Sequence, residues 1–260
     1  MHVALFATCL IDVFRPNAGF AAVSLLEKAG CTVDVPDEQT CCGQPAYNNG
    51  DINNSRIIAR QVIKSLINYD YVVIPSASCA GMMIQHYPIL FEDDPKWYSK
   101  AIELSKRCFE LINFLHDILN INSVDITSKH SITYHDSCSS LREQRSKEKI
   151  RNILNNSENI TLSELNDPES CCGFGGTFCV KYPEISEHIV DEKVNDVTST
   201  GADILVSADL GCLMNISGRL KRLKSPVKVF HIAELLADMT DVADIGDSDK
   251  QLTNAVLLKK

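Results

Sequence analysis

The sequence predicts an α/β protein of two pseudo-symmetric repeats, each a mostly parallel sheet covered by helices. Three observations predict it. Short β-like runs alternate with longer amphipathic segments along the chain. A Cys-Cys-Gly triplet occurs twice, at Cys41-Cys42-Gly43 and at Cys171-Cys172-Gly173. Each triplet has a lone cysteine upstream and another downstream at matching offsets: Cys9 and Cys79 flank the first, Cys138 and Cys212 the second.

Aligning Cys9 with Cys138 exposes the duplication. Val3-Ala4-Leu5-Phe6 precedes one and Ser131-Ile132-Thr133-Tyr134 the other. The triplet begins 32 residues after Cys9 and 33 after Cys138. A second apolar run, Tyr71-Val72-Val73-Ile74 or Ile204-Leu205-Val206, then leads to the last cysteine of each set. Each unit closes with a similar amphipathic segment, Phe114 to Leu119 matching His231 to Leu236.

In the first unit, strand 3–7 is followed by helix 17–29, which ends at Gly30 as a C′ residue. Strand 31–35 leads into the cysteine pair. Helix 51–68 carries Ile57, Ile58, Val62, Leu66 and Ile67 at helical spacing. Strand 71–75 stops at Pro75, and a long helix over 96–119 ends the unit. The second unit reads as strand 131–135, helix 143–155, strand 159–163, helix 183–199, strand 203–207, helix 211–223, strand 227–231 and helix 232–239. Such alternation implies parallel sheets with helices on both faces. The expected units are 1–122 and 130–239, with the junction from Asn120 to Lys129. The acidic, polar tail 240–260 is expected to be loosely ordered.

Composition narrows the class. A 45% hydrophobic and 23% charged chain is that of a soluble globular protein. A formal charge of −9 offers no general field for phosphates, which argues against nucleic acid as a partner. The basic stretch Arg219, Lys221, Arg222, Lys224 suits the last turn of a helix. The N-terminus lacks the basic region and cleavage site of a signal peptide. No apolar run is long enough to span a bilayer. A cytoplasmic protein without direct membrane insertion is expected.

Eleven cysteines is an odd number, so a fully paired disulfide framework is excluded. In a reducing compartment, repeated cysteine patterns read as metal or redox sites. Four thiolates per set is the usual ligand count of an iron–sulfur cluster. In parallel α/β sheets, sites form at the carboxyl ends of strands. Strands 3–7, 31–35 and 71–75 would deliver Cys9, the Cys41-Cys42 pair and Cys79 to one edge. Helix starts there favour thiolate over thiol.

Adjacent cysteines on a regular strand point to opposite faces, so each pair needs irregular backbone to serve one centre. Gly43 and Gly173 permit it, with Gly175-Gly176 extending the second loop. Zinc sites favour two-residue gaps between paired ligands, and this chain has no C-x-x-C. The expectation is two iron–sulfur clusters of 4Fe-4S type, one in each half. Cys9, Cys41, Cys42 and Cys79 would hold the first, and Cys138, Cys171, Cys172 and Cys212 the second. A zinc-stabilised assembly scaffold is the non-enzyme alternative.

The remaining candidates carry blander expectations. Cys31 and Cys108 read as small core hydrophobes, the first in a strand and the second on a helix. Cys179 reads as passive, although it follows the Gly-rich loop. His135 reads as a structural histidine hydrogen-bonded near the second site. His231 caps the next helix, and His86 packs or faces solvent. Arg142 and Lys181 either offset cluster charge or are solvated. No dinucleotide fingerprint, P-loop or Ser-His-Asp context is present.

Several strings carry a family resemblance. They are Cys41-Cys42-Gly43-Gln44-Pro45-Ala46, the run Cys171-Cys172-Gly173-Phe174-Gly175-Gly176-Thr177-Phe178 followed by Val180-Lys181 and Glu184-Ile185-Ser186, and Gly211-Cys212-Leu213-Met214-Asn215-Ile216-Ser217-Gly218-Arg219-Leu220. Over about residues 2–238 the chain resembles the lactate-utilization protein A family, whose members are CCG-type cysteine-rich domain iron–sulfur oxidoreductase subunits.

The resemblance implies an iron–sulfur electron-transfer subunit of a system oxidising L-lactate to pyruvate. Its partners would be lactate-utilization proteins B and C. Relatives with the same domain include the B subunit of heterodisulfide reductase and the iron–sulfur subunits of glycolate oxidase and anaerobic glycerol-3-phosphate dehydrogenase. Thiol–disulfide chemistry of the first kind, or the oxidase role of the others, is therefore the alternative redox reading. In heterodisulfide reductase each domain has a fifth cysteine ligand. The corresponding positions here are Ser76 and Asp209, which leaves four-cysteine clusters, with Ser76 or Asp209 as an oxygen ligand or as hydrogen-bonding support.

Overall fold

A computed structural model of the chain describes residues 1–247. The first half runs β1 (His2–Leu5), α1 (Cys9–Phe14), α2 (Pro16–Lys28), β2 (Thr32–Asp34), α3 (Gln44–Asn48), α4 (Ile52–Leu66), β3 (Tyr71–Ile74), α5 (Ala77–Gly81), α6 (Tyr87–Leu90), α7 (Pro95–Ser105), β4 (Cys108–Glu110) and α8 (Leu111–Asn113). The second runs β5 (His130–Tyr134), α9 (Lys147–Asn156), β6 (Ile160–Leu162), α10 (Phe178–Lys181), α11 (Pro183–Ser199), β7 (Ile204–Ser207), α12 (Leu210–Arg222), β8 (Lys228–His231) and α13 (Ile232–Leu236). Wide π-helical turns at Met82–His86, Phe114–Ile118 and Ser140–Gln144 extend three of the helical segments.

The two repeats give two four-stranded sheets, ordered β2-β1-β3-β4 and β6-β5-β7-β8. All pairs are parallel, and the registers correspond: Leu5 lies beside Val73, and Tyr134 beside Val206. In each sheet the chain winds one way from the first strand and the other way afterwards. A crevice opens where the direction changes, at the carboxyl ends of β1 and β3 and of β5 and β7.

Alternation along the strands splits the core. Val3 and Leu5 point to one face of β1, Ala4 and Phe6 to the other. The first face joins Ile132, Tyr134 and Val206 of the second sheet in a single central core, closed by α2, α9, α13 and α8. The opposite faces carry separate cores under α4 and α7 and under α11 and α12. A buried ion pair also ties the halves together: Arg15 Nε donates to Glu234 Oε1 at 2.9 Å, with the guanidinium over the Phe230 ring.

The end of the first unit departs from expectation. Residues 96–119 are not one helix. It ends at Ser105, and Cys108–Glu110 forms β4 beside β3. Cys108 is therefore a buried strand residue. The end-of-unit alignment shifts with it: Glu110 lies beside Ile74 and His231 beside Ser207, so Glu110, not Phe114, matches His231. The shift is about one helical turn, which leaves an amphipathic pattern almost unchanged.

The tail is not loose from its start. Asp244 and Ile245 are buried, Ile245 N–H donates to the Val229 carbonyl at 2.9 Å, and Lys221 pairs with Asp244 at 2.9 Å. The rest of the tail, from 248, lies outside the described residues.

Candidate metal centre

The crevices gather the cysteines as their spacing requires. Cys9 opens α1 just after β1, Cys41 and Cys42 sit in the loop before α3, and Cys79 lies in α5 just after β3. Cys138 follows β5, Cys171 and Cys172 sit in the loop before α10, and Cys212 lies in the first turn of α12. Thiols touch in the same order in each set. The side chain of Cys9 meets Cys41, Cys41 meets Cys42, and Cys42 Sγ lies 3.3 Å from Cys79 Sγ. Cys138 meets Cys171, Cys171 meets Cys172, and Cys172 meets Cys212.

The Cys-Cys-Gly turns work identically. Gly43 and Gly173 have φ of 86° and 79°, the left-handed conformation glycine adopts without penalty. Each then donates its amide back to the first thiol of the pair, Gly43 N to Cys41 Sγ at 3.4 Å and Gly173 N to Cys171 Sγ at 3.3 Å. The second carbonyl of each pair is also held, by different residues: Tyr87 OH donates to Cys42 O and Asn215 Nδ2 to Cys172 O, both at 2.8 Å.

Electrostatics repeat as well. Cys41 is drawn down to about 2 by hydrogen bonds from Cys42 and Cys9, and Cys171 to about 2 by those from Cys138 and Cys172. The donor thiols are pushed up, Cys42 and Cys172 most plainly, because their hydrogen bonds hold the proton and burial penalises charge. One thiolate per quartet is thus favoured before any metal binds.

Each quartet belongs to its own half, and the two open onto a common space. All eight cysteines line a single cavity of about 420 Å³ between the halves. Ser76, Ser78, Ser137 and Asp209 line it too. Asp209, nearly inaccessible to solvent, accepts hydrogen bonds at Oδ1 from Ser76 Oγ (2.8 Å), Ser78 Oγ (2.8 Å) and Ser78 N (3.1 Å), and at Oδ2 from Ser137 Oγ. Ser76 Oγ in turn accepts from Cys79 N. The structure places Ser76 and Asp209 as a hydrogen-bonded pair between the quartets.

His135 stands at the second quartet. A ring nitrogen lies within a group in which it, Cys172 Sγ and Cys212 Sγ are all within 4.8 Å of one another. The ring is buried, and neither nitrogen has a hydrogen-bond partner among the described residues, so the expected structural hydrogen bond is not made. Burial lowers its pKa to about 3, with Lys193 adding to the effect. The backbone after it is pinned by Asp136, whose carboxylate receives both Arg151 terminal nitrogens at 2.6 Å.

Lys193 was not singled out in the sequence. It is fully buried in α11, and its Nζ donates to the Asp167 carbonyl at 2.8 Å. The only signal was a lysine on a helix face otherwise made of Val190, Val194 and Val197.

The other candidates fall outside the quartets. Cys179 Sγ donates to the Gly176 carbonyl at 3.5 Å. Cys31 and Cys108 are buried in the cores. His231 caps α13, its Nδ1 accepting from Ala233 N at 3.2 Å. His86 meets Glu143 across the halves at 3.3 Å, and Lys181 donates to Asn49 Oδ1 across the halves at an exposed position. Arg142 lines a separate hollow of mixed charge with Arg145, Lys147, Glu148 and Glu169, and its charge acts on the Cys138 thiol. Among the described residues, no helix is long and apolar enough to cross a membrane.

The donor set fits iron–sulfur clusters: four soft thiols per quartet, and backbone amides already directed at Cys41, Cys171 and Cys172 sulfurs. A parallel α/β repeat presenting Cys-Cys-Gly turns in this way is a CCG cysteine-rich domain, and that family model matches residues 3–84 and 132–217. The similarity extends to whole proteins. Lactate utilization protein A of Geobacillus sp. (strain WCH70) is 48% identical over 91% of this chain and 99% of the relative. Those of Bacillus subtilis (strain 168) and Bacillus cytotoxicus are 46% and 45% identical over the same share of this chain, covering 99% and 98% of the relatives. The chain belongs to the lactate utilization protein A family. Among solved structures, an aspartate racemase of Picrophilus torridus aligns over 91% of this chain and 90% of its own at 12% identity and TM-score 0.36, too weak a likeness to carry any argument.

Proposed function

We propose that the chain is an iron–sulfur electron-transfer subunit of an L-lactate oxidation system, working with lactate-utilization proteins B and C. The observation that carries this reading is the convergence of two cysteine quartets on one cavity in a chain of this family. Cys9, Cys41, Cys42 and Cys79 would hold one cluster, and Cys138, Cys171, Cys172 and Cys212 the other. Such clusters supply one-electron storage at a potential set by charge, hydrogen bonding and exposure.

The protein's own contribution is positional. The Cys-Cys-Gly turns aim paired thiols at one centre, and their amides stabilise thiolate. The Ser76–Asp209 network fixes the separation of the two quartets.

The test is anaerobic purification followed by iron, sulfide and zinc analysis and paramagnetic resonance. A brown protein with iron and sulfide in equal amounts, halved by either Cys42→Ser or Cys172→Ser, supports the reading. A colourless zinc protein would overturn it in favour of a scaffold. Lactate oxidation should require a mixture with both partners, and activity on a disulfide by the isolated chain would favour the thiol–disulfide alternative.

A further inference from the structure

The two quartets match in every thiol, yet the residues behind them do not. Phe6 and His135 occupy the same place in the two repeats: Phe6 N donates to the Val73 carbonyl and His135 N to the Val206 carbonyl, both at 2.9 Å. Val62 and Lys193 correspond as well. The carbonyls of Ser55 and Ser186 lie behind Gly43 and Gly173, and seven residues further along each helix come Val62 and Lys193. All four residues are buried. Behind the first quartet stand a phenyl ring and an isopropyl group. Behind the second stand an imidazole and an ammonium.

His135 has no structural hydrogen bond among the described residues to account for it, and Lys193 has one, to the Asp167 carbonyl. A buried imidazole with both nitrogens unpartnered costs free energy, so it calls for an acceptor. The Cys172 and Cys212 sulfurs both lie within 4.8 Å of a ring nitrogen. A neutral imidazole always carries one N–H to donate to them. Lys193 is held by a neutral carbonyl; burial lowers its pKa, and the Cys172 sulfur is among the groups that oppose that shift. Of the carboxylates acting on it, Asp196 and Asp167 lie towards solvent, half-buried and exposed, and the third is Asp136. The Asp136 carboxylate beside His135 is already neutralised by Arg151.

Building on the iron–sulfur reading above, we propose that His135 and Lys193 make the second site the higher-potential one, so that at equilibrium a reducing equivalent resides at Cys138, Cys171, Cys172 and Cys212 rather than at the first quartet. Reduction adds negative charge. A nearby cation and an N–H directed at a ligand sulfur both favour the reduced form, and at the matching positions of the first site Phe6 and Val62 supply neither.

The test is a mediated potentiometric titration followed by paramagnetic resonance. Cys42→Ser reports the second site alone and Cys172→Ser the first alone. The midpoint at the second site should lie above that at the first. In the Cys42→Ser background, His135→Phe with Lys193→Val, which copies the first repeat, should lower the midpoint towards the first site's value with iron content unchanged. In the Cys172→Ser background, Phe6→His should raise the first. Labelling histidine with ¹⁵N should give a nitrogen coupling on the second signal that His135→Phe removes. Equal midpoints in the two single-site proteins, or an unmoved midpoint in an iron-replete double variant, would overturn the proposal and leave the iron–sulfur reading intact. Absence of iron from the wild-type chain would overturn both.

Discussion

Ser76 and Asp209 are the same position in the two repeats, and they are hydrogen-bonded to each other at 2.8 Å. Each is the N-cap residue that precedes its cysteine by three, Ser76 before Cys79 in α5 and Asp209 before Cys212 in α12. A position that touches its own counterpart lies on a pseudo-twofold axis. That axis therefore passes between the two quartets, and the residue there is polar in both halves.

Removing the Asp209 carboxylate should be costly, because three hydroxyls and one amide converge on it. Hydrogen bonds to a charged group contribute about 1.5–3 kcal/mol each, with strong non-additivity in a shared network. Asp209→Ala should lose about 3 kcal/mol or more of stability. Ser76→Ala, which leaves the other donors, should lose about 1 kcal/mol. Anaerobic urea denaturation of both variants measures the difference.

The two glycines of the triplets should differ in tolerance. Alanine at either must take a left-handed φ, a cost of about 1–2 kcal/mol. At Gly173 the new Cβ would also lie 2.7 Å from the Ser186 carbonyl, whereas at Gly43 the nearest atom is the Ile58 methyl at 3.3 Å. Gly173→Ala should therefore destabilise more than Gly43→Ala and lower the metal content of the second site selectively. Thermal unfolding and metal analysis of the paired variants check this.

Glu110 gives a defined pH dependence. It is fully buried, and burial raises its carboxyl to about 8 from an ordinary 4.5, despite amides from Ile112 and Asn113 donating to Oε2. A raised folded-state value means that its contribution is fully present below pH 4.5 and is lost as pH rises towards 8. Within that window each pH unit removes up to about 1.4 kcal/mol. Glu110→Gln should flatten the wild-type decline between these limits, as read from denaturation midpoints at successive pH values.

The Arg15–Glu234 pair joins the N-cap of α2 to α13, with both side chains almost wholly buried. Arg15→Met should cost about 3–5 kcal/mol, because Glu234 is left as an uncompensated buried charge. Adding Glu234→Leu should recover much of that loss. A double-mutant cycle by chemical denaturation isolates the coupling.

Much of this was legible in the residues. The repeat and the alternation of strands and helices follow from the spacing of eight cysteines and the apolar runs ahead of them. What escaped the sequence has physical reasons. The strand at Cys108–Glu110 is three residues long and lies in an amphipathic stretch that helical periodicity also satisfies. The single shared cavity depends on how two sheets pack, which no local pattern encodes. Lys193 is visible only once α11 is seen to turn that face inward. The His135 ring was expected to find a partner because buried polar groups almost always do.

The central core carries one further consequence. Helix α2 of the first repeat packs on α13 of the second, and α9 of the second packs on α8 of the first, a reciprocal exchange. That is the contact pattern of a twofold homodimer, written into one polypeptide. A gene encoding one repeat, self-associating through these surfaces, is the natural ancestor. Severed near residue 123, the two fragments would each expose the apolar flank that the other now covers, and they should accumulate as folded protein only when produced together.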